Sequence, residues 1–127
     1  MALLAIICLF ILFSWGGCEE HRLGRGFTFF ESPGMVCYWE RGDTLNFNIP
    51  SKVLSYKNSY NYLLVKQHPG RYPHREDTPY IYPYGRDTVY YFFIDKKTKR
   101  VTGPMLYSEM EAYLQNIGIA DMLHKLN

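Results

Sequence analysis

Between His68 and Asp87 the chain reads HPGRYPHREDTPYIYPYGRD, the densest collection of reactive side chains in the sequence. It holds two histidines, four tyrosines, three arginines and three acids among four prolines. Three chemistries are open to such a set. His68 and His74, with Glu76 and Asp77 close behind, offer the imidazole and carboxylate donors that zinc accepts. Their spacing matches no compact ligand motif, and Pro69 and Pro73 forbid the helix on which an HExxH pair would sit. No metal site and no cofactor are therefore expected. The same histidines with Glu76 or Asp77 would serve a small hydrolase, provided that they converge in one cleft. The third chemistry is ligand contact. Tyr72, Tyr80, Tyr82 and Tyr84 present flat faces to a sugar or peptide, and Arg71, Arg75 and Arg86 present forked donors to carboxylates or phosphates. Against all three stands a structural reading: an extended hairpin connection whose prolines keep it out of regular pairing and whose tyrosines fold back on a sheet. The last is preferred, because nothing in the sequence brings the polar groups to one point.

Other chemistry has little support. GxGxxG, P-loop, GxSxG and CxxC patterns are missing, which leaves nucleotide, acyl-transfer and redox functions without a motif. The formal charge of +2 gives no case for nucleic acid. Arg41-Gly42-Asp43 is read as an ordinary turn. Cys37, in MVCYWE, is expected to be a small buried hydrophobe in a strand.

The first eighteen residues, MALLAIICLFILFSWGGC, carry no charge. The apolar run from Ala2 to Phe13 is shorter than the roughly 20 residues of a membrane span, and fits the about 7–15 residues of a secretory h-region. Gly16 and Gly17 then precede Cys18. A small residue before a cysteine, after a short h-region, resembles the lipobox of bacterial lipoproteins. That resemblance implies cleavage before Cys18 and a thiol bearing diacylglycerol. The alternatives are an uncleaved anchor or an ordinary signal peptide; without acylation, a Cys18–Cys37 disulfide becomes available.

These side chains need a scaffold. With twelve Tyr and eight Phe in 127 residues, a sheet-rich domain is expected. Residues 1–17 are assigned to the leader, 18–25 to a tether and 26–127 to a single α+β domain. Strands are expected at Gly26–Phe30, Met35–Glu40, Lys52–Lys57, Tyr60–Gln67 and Asp87–Asp95. Lys96 to Arg100 is a basic turn, followed by a short returning strand that Gly103-Pro104 stops. Ser108 and Glu111 have capping-box spacing. Met110, Tyr113, Leu114 and Ile117 lie on one helical face, and Ile119, Met122, Leu123 and Leu126 repeat that spacing after Gly118. The fold class is thus α+β: an antiparallel sheet with C-terminal helices packed on one face.

The segment YYFFIDKKTKRVTGPMLYSEMEAYLQNIGI, Tyr90 to Ile119, resembles a signature found in small bacterial lipoproteins of uncharacterised function. The matching residues run from Ile94, Asp95, Lys97 and Thr98 through Val101, Gly103 and Pro104 to Glu109, Glu111, Gly118 and Ile119. The resemblance implies the lipid anchor and the α+β fold, and brings no catalytic residues. The expected function is a membrane-anchored envelope lipoprotein, tethered by palmitate-type acyl chains on Cys18, that binds or scaffolds an envelope protein or glycan. A small exported hydrolase and an inhibitor or immunity-type protective protein are the alternatives.

Overall fold

The computed structural model describes residues 19–31, 34–40, 44–71 and 80–126, the side chains of 39, 40 and 44–48 excepted. The chain divides into two compact units, one ending at Ile49 and one starting at Pro50.

The first unit is a four-stranded antiparallel meander of β1 (Glu20–Gly24), β2 (Phe27–Phe30), β3 (Met35–Glu40) and β4 (Thr44–Ile49). Cross-strand pairs hold it together. Phe27 lies directly opposite Tyr38, with ring centroids 4.8 Å apart. Leu23, Phe27, Val36, Cys37, Tyr38 and Ile49 are buried, so each strand of the meander gives apolar side chains to its core. Residues 18–25, expected as a tether, contain strand β1. Its sequence EHRLG is too polar to announce a strand, yet its backbone pairs with β2 from Glu20 to Gly24. Strand β4 also escaped the sequence reading. The turn expected at Arg41-Gly42-Asp43 lies outside the described residues.

Cys37 is a free, buried thiol, and burial pushes its pKa up to about 11. Because the thiolate is the reactive species, this cysteine is inert. Folded protein should therefore react with a thiol-specific alkylating reagent at Cys37 far more slowly than urea-unfolded protein. The site of modification is read by peptide mass.

The second unit repeats the meander with β5 (Val53–Asn58), β6 (Tyr62–Gln67), β7 (Tyr90–Asp95) and β8 (Arg100–Met105), followed by helices α1 (Tyr107–Asn116) and α2 (Asp121–His124). The central strands carry near-continuous apolar runs, and Leu63, Leu64, Val65 and all of Tyr90–Ile94 are buried. Successive side chains point to opposite faces. One face therefore shows Leu64, Tyr91 and Phe93, and these form a core cluster with Met110, Leu114 and Leu123 of the two helices. Of the helical stripe read from the sequence, Met110, Leu114 and Leu123 join this cluster and Tyr113, Ile119, Met122 and Leu126 pack against it, whereas Ile117 is 45% exposed. With helices of only ten and four residues against eight strands, antiparallel sheet dominates and the described chain is mostly β.

Two local expectations are corrected. Helix α1 starts at Tyr107, one residue before Ser108, and Leu106 is its N-cap. Glu109 supplies the reach-back half of the capping arrangement, its Oε1 accepting from the Leu106 N–H at 2.9 Å. Strand β8 continues through Gly103-Pro104 instead of stopping there. Phe93 pairs with Thr102 and Tyr91 with Met105, so both Gly103 and Pro104 oppose Phe92 in a bulge. A bulge is where a sheet tolerates a residue without an N–H. Gly118 takes φ +82° beyond the end of α1, the left-handed conformation expected of it.

Candidate functional site

The stretch beginning at His68 returns to the sheet. His68 continues the β5–β6 pairing, exchanging backbone hydrogen bonds with Lys52 at 2.9 and 3.1 Å. Its Nε2 lies 3.3 Å from Asp87 Oδ1, and the exposed Arg71 Nη2 lies 3.5 Å from Asp87 Oδ2. One carboxylate thus ties the start of the connection to its end. Tyr72, His74, Arg75, Glu76 and Asp77 lie outside the described residues.

The other half, residues 80–87, is spent on internal contacts. Tyr80 packs edge-on against Phe92, with centroids 5.0 Å apart. Tyr82 packs on Tyr90 at 5.2 Å, and its hydroxyl accepts from Gln67 Nε2 at 3.1 Å. Phe92 and Tyr90 project to the face of β7 opposite the helices, so these tyrosines cover that face. The hydroxyl of fully buried Tyr90 accepts from the Tyr84 N–H and donates to the Gly85 carbonyl, both at 2.8 Å. The Arg86 guanidinium donates to the carbonyls of Gly70 and Pro69 at 3.0 and 3.3 Å and sits 5.1 Å from the centre of the Tyr82 ring. Tyr84 is half exposed, and its hydroxyl donates to Glu109 Oε2 of α1 at 3.1 Å. Of the ligand-contact residues read from the sequence, Tyr80, Tyr82 and Arg86 thus hold the segment down as a strap.

The tyrosine hydroxyls register this. Burial, with the neighbouring Tyr82 second, pushes Tyr80 from 10.0 up to about 12. Its hydrogen bond to Glu109 raises Tyr84 as well. A folded-state pKa raised above the unfolded value stabilises the fold fully below pH 10, and that contribution is lost as pH rises through about 12. The urea midpoint of the wild-type chain should therefore fall across this window. In Tyr80→Phe the fall should be shallower, as followed by circular dichroism in a pH series.

A second set of side chains, several of them named above only as signature or helix-face residues, is not read as a site from the sequence. Register places Tyr62 of β6 opposite Asp95 of β7, and Asp95 opposite Arg100 of β8. These three make one row across the helix-bearing face, past the C-terminal end of α1. The adjoining row holds Phe93 and Thr102. Phe93 is sandwiched between Tyr62 at 5.2 Å and Tyr113 of α1 at 5.7 Å. With Thr98 and Ile117 these residues line an open groove of about 610 Å³. The Asp95 carboxylate accepts from the N–H groups of Lys97 and Thr98 at 3.0 and 3.3 Å, which closes the β7–β8 turn. Among the described residues no hydrogen bond or ion pair engages the exposed Arg100 guanidinium. The groove therefore offers aromatic surface, hydroxyls, a carboxylate and a guanidinium in one place. The signal in the sequence was the acid–base pair flanking Lys96–Lys99, but only strand register shows that Tyr62 and Tyr113 join it.

Among the described residues no helix is long and apolar enough to cross a membrane. Cys18 lies outside them. Neither a curated protein nor a solved structure matches the chain. A family model does match, over residues 38–125, a span that takes in the strap, the groove and both helices, and the chain belongs to that family, described as "Protein of unknown function (DUF3997)".

Proposed function

We propose that the chain is a non-enzymatic bacterial envelope lipoprotein, tethered through Cys18, whose second unit binds an envelope glycan in the groove beside Tyr62, Phe93 and Tyr113. One observation carries this reading. The groove gathers aromatic surface with an exposed guanidinium, that of Arg100, which no hydrogen bond or ion pair engages among the described residues, whereas the described Tyr80, Tyr82 and Arg86 are committed to their own sheet. Binding sites pair apolar and aromatic walls with a few orienting polar groups. A sugar ring has apolar C–H faces that stack on tyrosine rings such as Tyr62 and Tyr113, and its hydroxyls take donors and acceptors such as Arg100, Thr102 and Asp95. The uncharged leader ending in Gly16-Gly17-Cys18 supplies the tether, and the Ile94–Ile119 signature agrees with a lipoprotein origin.

The test combines mass and binding. Protein purified from native membranes should have an intact mass that starts at Cys18 and includes acyl chains. In detergent it should bind solubilised cell-wall glycan fragments, and Tyr113→Ala with Arg100→Ala should weaken that binding at least tenfold. An unlipidated mass removes the tether, and unchanged affinity in the double variant removes the groove.

A further inference from the structure

Glu19, His21 and Glu31 bring three metal-ligating atoms within 4.8 Å of one another in the first unit. The topology explains why. Glu19 and His21 are two residues apart on the edge of the sheet, so both project from one face. The Glu31 N–H donates to the Glu19 carbonyl at 3.0 Å, which continues the β1–β2 ladder by one pair and sets Glu31 directly opposite Glu19. His21 faces Phe29, with ring centroids 5.8 Å apart, which steers its Nε2 along the same surface. That nitrogen lies 3.1 Å from Glu31 Oε2 and 3.9 Å from Glu19 Oε1.

From this geometry we infer a zinc site at Glu19, His21 and Glu31, unrelated to the groove and to the histidines of the 68–87 stretch. Tetrahedral zinc with bonds of 2.0–2.2 Å separates its ligand atoms by roughly 3.3–3.6 Å. The two distances from His21 Nε2 bracket that range. All three side chains are at least partly exposed, so their carboxylates are free to turn and close the remaining gap. Charge points the same way. Two carboxylates directly opposite each other on paired strands repel, and a divalent cation between them turns this cost into attraction. One imidazole with two carboxylates suits zinc better than the all-oxygen shells of calcium and magnesium. Three protein ligands leave a fourth position for water or an outside donor. Since Glu19 follows Cys18 directly, the ion would fasten the edge strand to β2 where the chain leaves its proposed tether.

The experiment is calorimetric titration of the full chain in detergent with zinc chloride, for wild type, His21→Ala and Glu31→Gln, with His68→Ala as a control. Wild type and His68→Ala should bind one zinc per chain with equal affinity. His21→Ala and Glu31→Gln should each bind at least roughly tenfold more weakly. Zinc should also raise the melting temperature of wild type, and do so less in those two variants. Both altered side chains lie on the surface, and a matching zinc-free melt verifies that each variant is folded. Absence of binding by wild type overturns the site, and so does unchanged affinity in His21→Ala or Glu31→Gln.

Discussion

Gly103→Ala should lower the stability of the second unit by at least about 3 kcal/mol. Two independent effects combine at this position. Gly103 has φ +130°, a conformation that residues with a Cβ rarely adopt. A Cβ built there would also lie 2.6 Å from the Tyr91 carbonyl oxygen and 3.1 Å from the Phe92 Cα, both backbone atoms of the most buried strand. Neither atom can move without displacing β7 from the core. Gly85→Ala separates the two effects. Gly85 has φ +90°, and nothing lies within 4 Å of the place its Cβ would take, so only backbone strain applies, about 1–2 kcal/mol. Urea unfolding followed by circular dichroism gives both values, and similar costs for the two variants would contradict the close approach.

Lys96→Ala should cost about 3 kcal/mol, although the residue sits in a turn rich in lysine. Lys96 is 1% exposed. Its ammonium donates to Asn58 Oδ1 at 2.5 Å and to the Ser59 carbonyl at 2.7 Å. Its own N–H donates to the Asn61 carbonyl at 2.9 Å, and Lys99 Nζ donates to the Lys96 carbonyl at 2.8 Å. One side chain thus joins the β5–β6 turn to the β7–β8 turn. Hydrogen bonds from a charged donor contribute about 1.5–3 kcal/mol each, and the desolvation of the ammonium offsets part of that sum. Lys96→Met keeps the aliphatic volume and removes the donors, so it should recover only the packing share, roughly half of the loss. If Met restored full stability, the buried stem rather than the hydrogen bonds would be what joins the turns.

That lysine also marks where the sequence stops being readable. Lys96 belongs to KKTKR, which by composition is a solvated basic turn, and lysine is almost never fully buried unless paired. Its acceptors come from a turn almost forty residues earlier, so only the β6–β7 pairing reveals them. The strongly patterned elements were legible. Strands β3, β6 and β7 and the stripe of α1 follow from apolar periodicity, and the Lys96–Arg100 turn from its polarity. Strand β1 was hidden because EHRLG has no apolar alternation, and its pairing is a backbone property. Gly103-Pro104 looked like a terminator because the bulge that accommodates it depends on the neighbouring strand. Of the tyrosines after His68 that the sequence expects to fold back on the sheet, Tyr80 and Tyr82 do so, Tyr84 stays half exposed, and Tyr72 lies outside the described residues. The groove was not legible, because Tyr62, Asp95, Arg100 and Tyr113 come from three strands and a helix and meet only through register.

The proposed function rests on which of two surfaces meets a ligand, and a pair of photo-crosslinking positions decides between them. Ile117 is 45% exposed at the rim of the groove, and Ile81 is 81% exposed on the strap. A photoreactive amino acid placed at each position in living cells should give a specific, light-dependent adduct to envelope glycan from position 117 and none from position 81. An adduct from position 81 with none from 117 would contradict the account and return the ligand site to the Arg/Tyr stretch.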